Sequence, residues 1–358
     1  MSVEKQKVLI VDDAPENIEV LRQSLRSDYI VMAAINGEKA LQIATNITSQ
    51  PDIILLDIML PGLDGYEVCK QLKANSATHE IPIIFITALN KSGHEAKGLE
   101  LGAVDYISKP FEPILVKARV HNQLELKQHR DHLEDLVLER TKELALTQQV
   151  TIEAMGTLAE YRDPETGGHI KRTQAYIQVL AEYLSNNNKY KQYLTSDMID
   201  KLYQVAPLHD IGKISVSDSI LLKPGKLTEL EFEEMKKHVQ YGSDALRIAE
   251  KRLGSSSYFS LARELIENHH EKWDGSGYPN KRKGEEIPLS GRLMAIADVY
   301  DALISKRVYK PSMPHNKAKQ IIIEGKGNHF DPEIVDAFIS IEDKIKQIAK
   351  EFADHDEE

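Results

Sequence analysis

Val8-Leu9-Ile10-Val11-Asp12-Asp13 is a run of four apolar residues that ends on two carboxylates. The same form recurs downstream in Tyr29-Ile30-Val31-Met32-Ala33, Ile53-Ile54-Leu55-Leu56, Ile83-Ile84-Phe85-Ile86 and Val104-Asp105-Tyr106-Ile107, with helical segments between the runs. Nearly continuous hydrophobicity implies burial on both faces, which predicts a doubly wound α/β domain with a five-stranded parallel sheet. Sites in such sheets form at the carboxyl ends of the strands. There the sequence places Asp12 and Asp13 after the first run, Asp57 after the third, Thr87 after the fourth and Lys109 after the fifth. Singly, these residues read equally well as helix caps, a turn residue and a solvated lysine. Together they bring three carboxylates to one edge, where they repel one another unless a hard cation such as Mg2+ lies between them.

The set Val11-Asp12-Asp13, Leu56-Asp57 through Asp64-Gly65, Thr87-Ala88 and Lys109-Pro110 resembles the receiver domain of bacterial response regulators, over residues 1–123. The resemblance implies that Asp57 accepts a phosphoryl group from a sensor histidine kinase. It also implies that Asp12 and Asp13 help Asp57 hold Mg2+, that Lys109 pairs with the phosphoryl oxygens, and that Thr87 and Tyr106 form the switch. A carboxylate that gains phosphate charge can reposition a hydroxyl and an aromatic ring.

A chain of 358 residues exceeds one ordinary core and suggests two domains with a connector. Its single cysteine, Cys69, rules out a disulfide framework and fits a reducing compartment. The net charge of −11 argues against nucleic acid and anionic membranes as partners. No run of eighteen apolar residues and no leader pattern at Met1–Lys7 is present, which points to the cytoplasm and to no membrane insertion.

From Glu112 to Thr151 the pattern is continuously helical, and the connector proper is read as residues 124–151. Leu126 and Leu133 repeat at seven residues, as do Val137 and Leu144, giving a short apolar seam that Arg130 and Arg140 interrupt. A solvated spacer and a dimeric coiled coil fit it equally; a homodimer is the expected context. Residues 152–352 read as an all-α domain, with helices expected near 152–161, 169–184, 196–209, 229–253, 259–270, 289–303 and 332–352. An acidic tail, residues 353–358, follows.

The helical region holds His209-Asp210-Ile211-Gly212-Lys213, read as the last turn of a buried helix with Gly212 as its C-cap. Alone, His209 and Asp210 are more readily satisfied by local hydrogen bonds than by a metal. They are accompanied by Glu165, His169, His238, His269, His270 and Asp298. Adjacent helical side chains diverge by about a hundred degrees, so His269-His270 and His209-Asp210 are better placed to bind two metals than to chelate one. Imidazole with carboxylate suits Fe, Mn, Zn or Co. His79, His94, His315 and His329 read as hydrogen-bonded histidines outside this set.

Together with Leu222 through Thr228, His269-His270-Glu271-Lys272-Trp273-Asp274-Gly275-Ser276-Gly277-Tyr278-Pro279, Asp298-Val299-Tyr300-Asp301 and Phe330-Asp331-Pro332, the histidine-aspartate motif resembles the HD-GYP family. That family hydrolyses cyclic dinucleotides, chiefly cyclic di-GMP, at a two- or three-metal centre, often iron or manganese. The resemblance implies that His209, Asp210, His238, His269, His270 and Asp298 are ligands, joined by Glu165 and His169, whose presence favours three metals. It implies attack by a metal-activated hydroxide, with Asp210 and Lys213 in the catalytic machinery and Lys213 steadying charge on the phosphoryl oxygens. Arg307, Lys310 and Tyr278 are the implied substrate contacts, and the Gly277-Tyr278-Pro279 loop an implied docking surface for partner proteins. Ile304-Ser305 and the basic Lys281-Arg282-Lys283 depart from the family pattern. The product is expected to be pGpG, with GMP as a further one. A non-hydrolysing sensor or docking module, or a hydrolase of another cyclic dinucleotide, is the alternative.

Overall fold

The computed structural model describes residues 5–88, 98–162, 168–253, 257–305 and 312–353. It divides into two compact units, residues 1–141 and 142–358.

In the first unit, five parallel strands, β1 (Lys7–Val11), β2 (Ile30–Ala34), β3 (Ile53–Asp57), β4 (Ile83–Ala88) and β5 (Asp105–Lys109), stand in the order β2-β1-β3-β4-β5. Helices α1 (Pro15–Leu25), α2 (Gly37–Thr45) and α3 (Gly65–Ala74) connect them. The apolar runs are buried on both sides as their composition requires. Leu9, Val11, Ile54 and Leu56 enter the core that holds Val68 and Leu72 of α3, whereas Val8, Ile10, Ile53 and Leu55 pack with Leu21 and Leu25 of α1. The register pairs Val11 with Leu56 and Asp57 with Ile86, which aligns the strand ends. The chain order reverses at β1 and β3, and Asp12 and Asp57 follow or end those two strands.

Helix α4 runs unbroken from Pro113 to Arg162, 50 residues, so the helix expected at 152–161 is the continuation of the connector. Val116, Val120 and Leu124 bury one stripe of its first turns, and Ile152 and Ala159 bury another near its end. Between these, Leu126, Leu133, Val137 and Leu144 are all more than half exposed, so the seam read from the sequence faces outward in this chain.

The second unit is helical: α5 (His169–Leu184), α6 (Ser196–Val205), α7 (Asp218–Leu221), α8 (Glu229–Lys236), α9 (His238–Leu253), α10 (Ser257–Asn268), α11 (Leu289–Ile304), α12 (His315–Glu324), α13 (Pro332–Ser340) and α14 (Glu342–Glu351). Two expected helices are each divided, at Lys237 and at Ile341, and two short helices, α7 and α12, were not expected. The HD motif does not close an α-helix. α6 ends at Val205, two 3-10 turns follow at Ala206–Leu208 and Ile211–Ser215, and Gly212 sits inside the second. Gly212 is no C-cap: a Cβ there would lie 1.9 Å from the His238 carbonyl oxygen and 2.6 Å from the Gly242 nitrogen. The glycine is needed for close approach of two backbones.

Gly65 plays the equivalent part beside the phosphoacceptor candidate, since its Cβ would fall 2.2 Å from the Asp57 carbonyl oxygen. Gly65→Ala must push α3 off β3. It should cost the first unit about 1–3 kcal/mol, read as an earlier urea transition of that unit by a local fluorescence label.

Candidate metal centre and phosphoacceptor pocket

In the first unit, buried Asp12 and Asp57 and exposed Asp13 each offer a carboxylate oxygen within 4.8 Å of the others. The Lys109 ammonium bridges the pair, 2.8 Å from Asp12 Oδ2 and 2.6 Å from Asp57 Oδ2. Asp12 Oδ1 accepts from the Ala14 amide and the Asn17 side chain, and Asp57 Oδ1 from the Met59 amide. Burial pushes the Asp57 carboxyl up, more than the Lys109 and Met59 contacts draw it down. Thr87 and Tyr106 line a common cavity of about 10 Å³ with Ile58, Phe85 and Leu99, room for about one water. The sequence-derived switch pair therefore faces one small void.

In the second unit, two donor groups form. Asp210, His238, His269 and His270 make one, and His169, His209 and Asp298 the other, each with its ligand atoms within 4.8 Å. Asp210 Oδ1 lies 3.2 Å from His238 Nε2 and 3.5 Å from His269 Nε2. His169 Nε2 lies 3.5 Å from His209 Nε2 and 3.8 Å from Asp298 Oδ1. His238 is buried.

The rings are aimed by their other nitrogens. His209 Nδ1 donates to the Ala206 carbonyl at 2.9 Å, His238 Nδ1 to Met235 at 2.7 Å and His269 Nδ1 to Ile266 at 2.8 Å. Each carbonyl accepts from the ring three residues downstream, at or just past the end of a helix. His169 Nδ1 instead meets the Asp301 carboxylate at 2.8 Å, and Arg172 holds that carboxylate with Nε at 2.7 Å and Nη2 at 3.0 Å. With Nδ1 carrying the proton, a neutral ring turns a lone pair inward from Nε2. Buried lone pairs of His238 and His269 then face a carboxylate oxygen, and neither these nitrogens nor Asp210 Oδ1 has a hydrogen bond. Such facing acceptors need a cation between them, and donor separations of 3–4 Å suit metal–ligand bonds of about 2 Å. The residues fit divalent metal ions.

Charge around the groups is consistent. Burial opposes ionisation of Asp210, yet Lys213 and His209 hold its carboxyl well below the usual range; Lys213 Nζ is 2.7 Å from its Oδ2. Burial and the neighbouring His269 and His238 push His270 well below the ordinary imidazole range. For Asp301, burial raises the pKa, and His169 and Arg172 outweigh it, leaving the carboxyl lowered. The Tyr278 ring stacks on His270 with centroids 4.7 Å apart, so the Gly-Tyr-Pro loop borders the first group. Buried Glu271 shapes that loop by accepting from the Asn280 and Arg282 amides.

Two family models match the chain, the response regulator receiver domain over residues 8–121 and the HD domain over residues 153–334. A Vibrio cholerae serotype O1 protein named a probable cyclic di-GMP phosphodiesterase is 48% identical over 98% of this chain and 80% of its own length. A Thermotoga maritima cyclic di-GMP phosphodiesterase is 35% identical over 98% of this chain and 94% of its own. The Xanthomonas campestris pv. campestris cyclic di-GMP phosphodiesterase response regulator RpfG is 36% identical, over 84% and 78%. The chain belongs to this family of receiver–HD response regulators.

Within that family frame, Glu165, Arg307, Lys310 and His94 lie outside the described residues. Helix α5 begins at His169 itself, with Gly168 as its N-cap. His79 bonds the Ser76 carbonyl, His315 the Tyr300 hydroxyl, and His329 stacks on Phe330 at 4.2 Å. Asp301, Arg172 and Glu271 were not singled out from the sequence. For Asp301 the signal was its spacing of three from Asp298 on one helix, which puts both on one face. Asp301→Asn removes the charge that orients His169 and should weaken metal binding by about 10–100-fold, measured by competition with a fluorescent chelator.

Proposed function

We propose that the chain hydrolyses cyclic di-GMP to pGpG, and further to GMP, under control of phosphorylation at Asp57. Its site would hold two or three metals, Fe or Mn. The observation that carries the hydrolase is the pair of donor groups whose inward lone pairs and carboxylates lie in the HD domain. A non-hydrolysing sensor has no use for so many buried acceptors held face to face at a cost in desolvation.

His209, Asp210, His238, His269, His270, His169 and Asp298 would be the metal ligands, with Glu165 as the further carboxylate that favours a third ion. Bound metals supply a nucleophile at neutral pH and offset phosphodiester charge. Lys213 Nζ stands 2.7 Å from Asp210 Oδ2, so it neutralises the ligand, and it would meet a phosphoryl oxygen of the substrate. Tyr278, fixed against His270, forms an aromatic wall for substrate, and Arg307 and Lys310 are proposed for its phosphate and base. In the receiver, Lys109 already spans Asp12 and Asp57, the arrangement that pairs an ammonium with a phosphoryl group placed on Asp57. Mg2+ would take the three carboxylates, and a sensor histidine kinase would be the phosphoryl donor.

The outward apolar seam of α4 supports a homodimer, and the Gly277-Tyr278-Pro279 loop is the proposed docking surface for protein partners. Among the described residues no helix is long and apolar enough to cross a membrane. The cytoplasm is the proposed location.

Metal analysis and hydrolysis decide the reading together. Protein loaded anaerobically with Fe or Mn should convert cyclic di-GMP to the linear dinucleotide, and chelation should stop it. No product from fully loaded protein, across cyclic di-GMP and a mixed cyclic dinucleotide, would leave only a binding role. Lys213→Ala at saturating metal should bind as much metal as the parent and lose about 10²–10³ in kcat. Asp57→Asn should fail to gain mass from a small-molecule acyl phosphate, and its hydrolysis rate should ignore that donor; mass spectrometry with the same assay checks both.

A further inference from the structure

Helix α8 has no buried residue, yet it is built into the edge of the first donor group. At its C-terminal end the Met235 carbonyl accepts from His238 Nδ1, and α9 starts at His238. At its N-terminal end Thr228 and Glu231 form a capping box, and Lys223 pairs with Glu231. Held at both ends, this short helix presents its side chains in fixed positions. Phe232 is 44% exposed. Its ring meets Tyr278 edge to face, with centroids 6.2 Å apart, and Tyr278 in turn stacks on His270. The Lys236 ammonium lies 4.8 Å from the Phe232 centroid and 5.4 Å from that of Tyr278. It also donates to Glu233, one turn back on the same helix, at 2.6 Å.

An exposed phenyl ring two ring contacts away from a metal-binding imidazole adds little to the core. Such rings do stack nucleic-acid bases, because every base has a π face. The place suits a base as well. In a cyclic dinucleotide each base is joined through its ribose to the phosphodiester that the metals would hold, so a base must rest close beside the donor groups. The cation then narrows the choice of base. Guanine shows two acceptors side by side, O6 and N7, whereas adenine sets the N6 donor beside N7. An ammonium has three N–H donors and no acceptor. With one N–H given to Glu233, Lys236 keeps two for the guanine edge, and it can only repel the adenine amino group.

We infer that Phe232, Lys236 and Tyr278 form a guanine subsite, in which Phe232 stacks one base of the cyclic dinucleotide and Lys236 donates to its O6 and N7. The inference rests on the reading of the HD domain as a cyclic dinucleotide hydrolase, and it adds the side chains that choose the base. Because Met235 of the same helix aims His238, the base platform and the metal ligand share one element, and the base is set at a fixed distance from the metals.

The test uses the full chain, loaded anaerobically with Mn(II) and assayed with cyclic di-GMP and cyclic di-AMP. The parent should favour cyclic di-GMP in kcat/KM by at least about tenfold, and Lys236→Met, which keeps the length of the stem without the charge, should erase most of that preference. A parent without the preference, or a Lys236→Met that keeps it, would overturn Lys236 as the selector. Phe232→Leu, apolar but without a π face, should raise KM for cyclic di-GMP about tenfold, more than it lowers kcat, and Phe232→Trp should restore it. The parent's KM in Phe232→Leu would show that the ring only packs, and would overturn the stack. Elemental analysis should find the parent's metal number in each variant. If Lys236→Met binds less metal, Lys236→Arg decides, since it keeps the donors: retained preference supports the subsite and lost preference overturns it. A parent that hydrolyses neither substrate would overturn the hydrolase. Equilibrium dialysis with labelled cyclic di-GMP then decides the subsite alone, weaker retention by Phe232→Leu supporting it and equal or no retention overturning it.

Discussion

Three of the histidines in the second unit are held by one local device, a ring Nδ1 bonded to the carbonyl three residues earlier at a broken helix end. This constraint organises the HD domain. A helix that continued through His209, His238 or His269 would commit those carbonyls to its own ladder and free the rings to rotate. Because α6, α8 and α10 stop where they do, the imidazoles keep one tautomer, and their inward nitrogens can only accept. Facing acceptors at 3.2–3.8 Å make the packed state unfavourable until a cation or a proton joins them. Burial disfavours a charged His209 ring, yet the adjacent Asp210 raises its pKa overall, so a proton is the natural competitor of the metal at that ring.

The same logic explains what surrounds the donors. Gly212 lets the turn after the HD motif pass against the His238 backbone, and a Cβ would force those segments apart. Gly277 does the same for the loop carrying Tyr278, where a Cβ would meet the Lys272 nitrogen at 2.4 Å and the His270 oxygen at 2.6 Å. At His169 the Asp301 carboxylate, held by Arg172, takes the place of that carbonyl. An ionised carboxylate fixes the ring more strongly than a carbonyl, and Arg172 pays its desolvation by also bonding Ser305 and the Phe352 carbonyl.

The receiver fold was legible because its strands are short, apolar and buried on both faces, and because Asp12, Asp57, Thr87 and Lys109 stand where parallel strands end. Strand limits moved by only a residue or two. In the helical unit the donor residues were legible by type and motif, and the local backbone was not. His209-Asp210 followed an apolar helical pattern and a glycine, which reads as a capped α-helix; the actual 3-10 turns arise from tertiary contact with the His238 backbone, information no local window contains. The breaks at Lys237 and Ile341 carry neither Gly nor Pro, so periodicity ran through them.

The long helix joins these themes. Its exposed middle turns have no core to hold them, so its helicity there rests on propensity and on pairs such as Lys127–Asp131, while both ends are anchored by buried stripes. At its end Arg162 donates to the Ile214 carbonyl, so the last turn of α4 grips the turn that follows the HD motif.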